Sequence, residues 1–170
     1  MSASADPTLS VLFVCTGNIC RSPSAEGVFR ALLVKRHLDG RIRVDSAATD
    51  DYHVGSAPDP RSVEAAARRG YDLRGQRARL VTPGDIEAFD YILAMDSGHR
   101  RRLRQMAPEA LRPRIGMFLE YAPDLRLTDV PDPYYGGEAG FERVLDMLES
   151  ASEGFLEYLL TAYPDRLIAR

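Results

Sequence analysis

Apolar positions fall into two kinds of run, and their alternation predicts an α/β fold. Residues 9–14 form an apolar run of strand length, the pattern of a strand covered on both faces. From Pro23 the period changes. Ala25, Val28, Phe29, Leu32 and Leu33 follow i, i+3, i+4, i+7, i+8 spacing and share one helix face. Ser22 suits the N-cap, Pro23 the first helical position, and Gly40 the end of the segment. The stretch RIRVDSA, residues 41–47, reads as a second strand and completes a βαβ unit.

The alternation then repeats. A helix is expected over residues 60–69, ended by Gly70, followed by a buried strand at 89–95 and a helix near 97–106. RIGMFL, residues 114–119, reads as a fourth strand. After a loop rich in Pro, Asp and Gly over residues 121–140, a closing helix is marked by Phe141, Val144, Leu145, Leu148, Phe155, Leu156 and Leu159, with an interruption expected near Gly154. Residues 1–8 read as a short flexible tail, and residues 9–170 as one doubly wound α/β domain. Its mostly parallel, four-stranded sheet should carry helices on both faces. Such sheets bind ligands at the carboxyl ends of their strands, where the loop after Cys15 would lie.

Composition narrows the classes of function. The 170 residues suffice for one sizeable core. With 22 basic and 25 acidic residues the net charge is −3, so no overall positive field points to nucleic acid or anionic membrane. No apolar run approaches the roughly 20 residues of a membrane span, and MSASADPTLS lacks the features of a signal peptide. Two cysteines, Cys15 and Cys20, are too few for a disulfide framework, so a reducing cytoplasm is the expected compartment. His37, His53 and His99 show no ligand spacing, so no metal site is expected and all three should lie at the surface. HRRRLRQ, residues 99–105, reads as a solvated helix face, with a docking patch for an acidic partner as the sharper alternative.

The candidate chemistry sits in VCTGNICRSPSAE. Gly17 and Asn18 tolerate the backbone conformations that turn successive N–H groups inward around an anion. The following helix adds its unsatisfied N–H groups and the positive end of its dipole. Arg21 ends the loop with a planar fork suited to two phosphate oxygens. The same field should ionise Cys15, whose thiol would otherwise titrate near ~8.5. A thiolate beneath a bound phosphoryl group can attack its phosphorus, and the Ser22 hydroxyl can donate to the sulfur and ease its later departure. An aryl leaving group also needs a proton. TDVPDPYYGG offers Asp129 and Asp132 as the acid, and spacing does not choose between them.

VCTGNICRSPSAE resembles the phosphate-binding loop of the low-molecular-weight protein tyrosine phosphatases. The resemblance continues through DSAAT, YHVGSAPDPRS, RAR, FDYILAMD and DPYYGG…GFE, and so covers nearly the whole chain after the tail. It implies a flavodoxin-like arrangement, no metal or other cofactor, and a phosphocysteine intermediate. By that resemblance Cys15 is the nucleophile and Arg21 the phosphate clamp. Thr16, Gly17, Asn18, Ile19, Cys20 and Ser22 complete the phosphate-binding loop. The match of Asp132-Pro-Tyr-Tyr-Gly selects Asp132 as the acid, which would then activate the water that hydrolyses phosphocysteine.

The resemblance also implies that Tyr134 and Tyr135 line the site mouth and are potential phosphorylation sites, and that Tyr52 flanks the substrate ring. Ile19 would contact that ring, and favours an aryl phosphate over phosphoarginine, since related phosphoarginine phosphatases carry threonine there. Cys20 could form a reversible disulfide with Cys15, protecting the nucleophile. Ser46 should share a hydrogen-bond network with Asn18. Gln76 stands where many relatives place a histidine in that network.

The expected partners are a phosphotyrosine-containing protein substrate and phosphate or other oxyanions, with neither nucleic acid nor membrane. A monomer is favoured, although the residues do not fix the oligomeric state. A thiol-dependent arsenate reductase would need further cysteines downstream, and none follows Cys20. A non-catalytic phosphotyrosine-binding module would have lost the nucleophile, the clamp or the acid, whereas all three remain.

Overall fold

The computed structural model describes residues 9–168, so the expected tail at residues 1–8 lies outside the described residues. Among these residues four strands, β1 (Leu9–Cys15), β2 (Ile42–Ala48), β3 (Tyr91–Ala94) and β4 (Ile115–Met117), form one sheet in the order β2-β1-β3-β4, with every pairing parallel. Among the described residues six α-helices accompany them: α1 (Arg21–Lys35), α2 (Pro60–Arg68), α3 (Pro83–Ala88), α4 (Ser97–Met106), α5 (Gly137–Ala162) and α6 (Pro164–Leu167). No helix among the described residues is long and apolar enough to cross a membrane.

β1 is buried along its whole length because both of its faces are covered. Val11 and Phe13 join the cluster containing Phe29 of α1 and Phe155 of α5. Leu12 and Val14 join Ile86 of α3, Ile92 of β3 and Leu103 of α4 on the other face. Successive side chains of a strand point to opposite faces, so a strand between two helical layers is apolar on both, and its one polar side chain before Cys15, Ser10, is satisfied by Asp90 and the Ala88 carbonyl.

Several boundaries differ from the sequence reading. α1 begins at Arg21, with Cys20 at the N-cap position and no side-chain cap, so Ser22 lies inside the helix rather than capping it. Its hydroxyl is engaged elsewhere, as described below. α1 ends at Lys35 instead of Gly40, because His37 adopts a left-handed conformation (φ 57°). The N–H groups of His37 and Leu38 then bond to the carbonyls of Val34 and Leu33, at 3.1 and 2.7 Å, which satisfies carbonyls that the helix end would leave open. α3 is not among the helices expected from the sequence, although Thr82, Pro83 and Asp85 form a capping box with proline at the start. β3 and β4 are shorter than expected. Phe118 and Leu119 leave the sheet for a 3-10 turn, Phe118–Tyr121. α5 starts at Gly137 and passes through Gly154 without a break. A Cβ at Gly154 would overlap the Tyr121 carbonyl oxygen, so the glycine admits that turn against the helix.

The parallel order places the site. β1 connects to β2 on one side and lies beside β3 on the other, so the chain diverges at the carboxyl ends of β1 and β3. There the Met95 N–H donates to the Val14 carbonyl at 3.0 Å, and the Val130 N–H to the Met95 carbonyl at 2.8 Å. The 121–140 segment is thereby tied to the mouth of the sheet.

Candidate active site

Cys15 ends β1 and is 3 % exposed. The chain then turns through residues 16–20 into α1. Asn18 takes the left-handed conformation in this turn (φ 57°), and Gly17 does not. Gly17 serves by lacking a side chain, since a Cβ there would stand 2.8 Å from Cδ2 of His53.

The Asn18 amide is oriented by the Arg79 N–H, which donates to Oδ1 at 3.1 Å. Its Nδ2 then donates to Ser22 Oγ at 2.8 Å and to Ser46 Oγ at 2.9 Å. With Ser22 Oγ accepting from Asn18, the serine proton is left for Cys15 Sγ, 2.9 Å away. The Ser22 N–H, among the unpaired donors of the first helical turn, lies 3.4 Å from the same sulfur. Ser46 Oγ donates to Glu26 Oε1 at 2.8 Å. Gln76 Oε1 stands 3.4 Å from the same hydroxyl, and its Nε2 donates to the Pro23 carbonyl at 2.9 Å. Burial raises the Glu26 carboxyl above its ordinary value, against the opposing effect of Ser46 and Arg30.

Arg21 is 5 % exposed. Its Nη1 donates to Asp96 Oδ2 and to the Val130 carbonyl, both at 2.9 Å. Nη2 lies 3.4 Å from Thr16 Oγ1 and 3.8 Å from Asp132 Oδ2. Burial alone would raise the Asp96 carboxyl, but the His99 N–H and the charge of Arg21 outweigh it and hold the group below its usual value.

His99 is buried, 4 % exposed, against the expectation of a surface histidine. It occupies the capping box of α4. The Asp96 N–H donates to Nδ1 at 3.2 Å, and the His99 N–H donates to Asp96 Oδ1 at 2.9 Å. With Nδ1 accepting, the neutral ring carries its proton on Nε2 and donates to Thr16 Oγ1 at 2.7 Å. Burial, then the charge of Arg21, pushes the imidazole down to about 4. His37 is exposed and His53 half-buried.

A pocket of about 230 Å³ opens above Cys15, lined by Thr16, Gly17, Ile19, Cys20, Arg21, Tyr52, His53, Asp132 and Tyr134. Asp132 is half exposed and accepts the Tyr134 N–H at 3.0 Å. Asp129 is absent from the lining; it accepts from the Ser97 N–H and hydroxyl at 3.1 and 3.2 Å, at the start of α4. Tyr52 is 74 % exposed at the rim. The Tyr134 ring lies under the Arg61 guanidinium at 5.0 Å, and Arg61 Nη1 donates to the Tyr134 carbonyl at 3.0 Å. The side chain of Tyr135 lies outside what is described. Cys20 is a free, buried thiol that burial pushes up to about 12, so it stays protonated and non-nucleophilic at neutral pH.

The structure thus gathers Cys15, the loop residues, Arg21, Asp132, Tyr52 and Tyr134 at one opening, with Ser46 behind the loop. Sequence reasoning missed Asp96, His99, His53, Glu26 and Arg61. The Asp96…His99 spacing is legible as a helix cap, and Glu26 falls one turn after Ser22. Nothing along the chain relates Asp96 to Arg21, 75 residues away.

Residues 10–163 match the family described as low molecular weight phosphotyrosine protein phosphatase. The chain is 44 % identical over 148 residues to the low molecular weight protein-tyrosine-phosphatase YfkJ of Bacillus subtilis, across 87 % of this chain and 94 % of that one. It is 41 % identical over 152 residues to the low molecular weight phosphotyrosine protein phosphatase of Homo sapiens, across 88 % and 95 %. A crystal structure of a protein tyrosine phosphatase from Entamoeba histolytica, with Hepes in the active site, superposes with a TM-score of 0.88 at 40 % identity, covering 91 % of this chain and 98 % of that chain.

Proposed function

The chain belongs to the low molecular weight phosphotyrosine protein phosphatases, which are phosphoric monoester hydrolases, and from that premise we propose that it hydrolyses phosphotyrosine and small aryl phosphates through a cysteinyl-phosphate intermediate. One arrangement carries the reading. Cys15, Arg21 and Asp132 come from three separate segments of the chain and line the same pocket.

Arg21 receives two phosphoryl oxygens in a charge-assisted fork, while Asp96 and the Val130 carbonyl hold its other side. The sulfur of Cys15 attacks phosphorus as the phosphorus–aryl oxygen bond breaks. Asp132, in its acid form, gives its proton to the departing phenolate, whose conjugate acid has a pKa of ~10. The Asp132 carboxylate then takes a proton from water as that water attacks phosphocysteine, releasing phosphate and sulfur anion. The Ser22 hydroxyl donates to that sulfur as it leaves. No metal enters any step. Tyr52, Ile19 and Tyr134 form the walls for the ring. The substrates are phosphotyrosine-containing proteins, and free phosphate and other oxyanions compete for the pocket.

The test is para-nitrophenyl phosphate turnover in the presence of a chelator. Cys15→Ser is expected to abolish turnover and retain phosphate binding; a variant as active as the parent overturns the proposal. Asp132→Ala is expected to slow phenyl phosphate by about 10²-fold or more, and a substrate with a good leaving group far less. Equal losses on both would remove Asp132 from the acid role.

A further inference from the structure

Beside the phosphate pocket lies a second, wider depression of about 480 Å³. α4 contributes Gly98, Arg101, Arg102 and Gln105 to it, and the loops after β1 and β2 contribute Thr16 and Asp50. The four α4 positions have i, i+3, i+4, i+7 spacing, so they form one stripe along the helix, while Leu103 is buried and the buried His99 ring forms part of the floor beside Thr16. Thr16 lines both depressions. The two depressions therefore adjoin at Thr16, and the second lies within reach of residues flanking a phosphotyrosine seated in the first.

The second depression is electropositive in a chain of net charge −3. Of its two acids, Asp96 is already paired with Arg21, which leaves Asp50 against two guanidinium groups. Arg101 and Arg102 are exposed and make no ion pair among the described residues. Arg100 and Arg104, also exposed, extend the positive field along the same helix. Glycine at 98 keeps the end of the stripe nearest Asp96 free of a side chain.

We propose that this groove binds the polypeptide flanking the phosphotyrosine, with Arg101 and Arg102 selecting substrates that carry Asp or Glu beside it. The proposal rests on the phosphotyrosine phosphatase reading and adds substrate preference to it. Guanidinium groups at a solvent-exposed rim suit carboxylates through forked hydrogen bonds, and they act on encounter as well as on affinity. A small aryl phosphate has nothing to place in the groove.

The experiment compares short phosphotyrosine peptides flanked by two Glu, two Ala or two Lys residues, with para-nitrophenyl phosphate as reference. The parent is expected to favour the Glu peptide over the Ala peptide in kcat/KM by about fivefold, consistent with two exposed ion pairs. That preference should shrink as salt is raised. Arg101→Ala/Arg102→Ala should erase it, and Arg101→Glu/Arg102→Glu should turn it toward the Lys peptide, with para-nitrophenyl phosphate turnover within about twofold throughout. Equal kcat/KM for the three peptides in the parent overturns the groove assignment, as does a preference that survives charge reversal. A protein that leaves para-nitrophenyl phosphate and every peptide unhydrolysed contradicts the phosphatase reading instead.

Discussion

At His99, one side chain joins the cap of a helix to the rim of the active site. Its Nδ1 accepts from Asp96, its Nε2 donates to Thr16, and Arg21, Asp96, Asp132 and Asp50 supply the charges around it. The folded protein protonates this ring only near about 4, whereas an unfolded chain does so near 6.5. Between those values the unfolded state binds the extra proton, so stability must fall as pH drops from 6.5 toward 4. The full window is worth about 3 kcal/mol from this group. Urea unfolding at about pH 7 and about pH 5 should show a steeper loss in the parent than in His99→Gln; equal slopes would exclude the imidazole as the source. The residue scale is also where the sequence was least informative. Cys15, Arg21 and Asn18 announced themselves by type and spacing within eight positions. Asp96 did not, because its effect on Arg21 depends on a contact across two strand ends.

Individual elements show local signals overruled by neighbours. Ser22-Pro23 reads as a helix start, yet α1 begins at Arg21 and the serine hydroxyl turns to Cys15. A cap would satisfy one backbone N–H, whereas the serine in place satisfies a buried sulfur and a buried amide. Gly154 reads as a helix breaker and is instead a contact point between α5 and the Phe118–Tyr121 turn. Alanine has the higher helix propensity, so an exposed site would gain from Gly154→Ala. Here the methyl group meets backbone, and the substitution is expected to lower stability by about 3 kcal/mol or more, read as a reduced urea midpoint. An unchanged or raised midpoint would mean that the turn moves aside freely.

For the molecule as a whole, the sheet order and one aromatic cluster decide where everything sits. Phe155 of α5 packs on Phe29 of α1, Tyr91 of β3, Phe118 and Tyr121, with ring centroids 5.4, 5.5, 6.3 and 4.8 Å away. It therefore joins the helical layer to the sheet on the face away from α3 and α4. Phe155→Ala should cost about 3–5 kcal/mol, while phosphatase activity per folded molecule stays near the parent's, since the residue does not line the pocket. Activity lost in proportion beyond the unfolded fraction would show that the cluster also shapes the site.

The sequence by itself determined the α/β class, the alternation of elements, the cysteine loop and the candidate acids, because each is written in short-range periodicity or in residues a few positions apart. Tertiary structure decided the rest. It brought Asp132 to the pocket and tied Asp129 to α4, a separation that spacing leaves open and that agrees with the choice implied by the Asp-Pro-Tyr-Tyr-Gly resemblance. It buried His99, and it set the stripe of α4 beside Thr16. These outcomes follow from the parallel pairing of β1 with β3, a contact between segments some eighty residues apart, and no local pattern encodes which strand ends will meet.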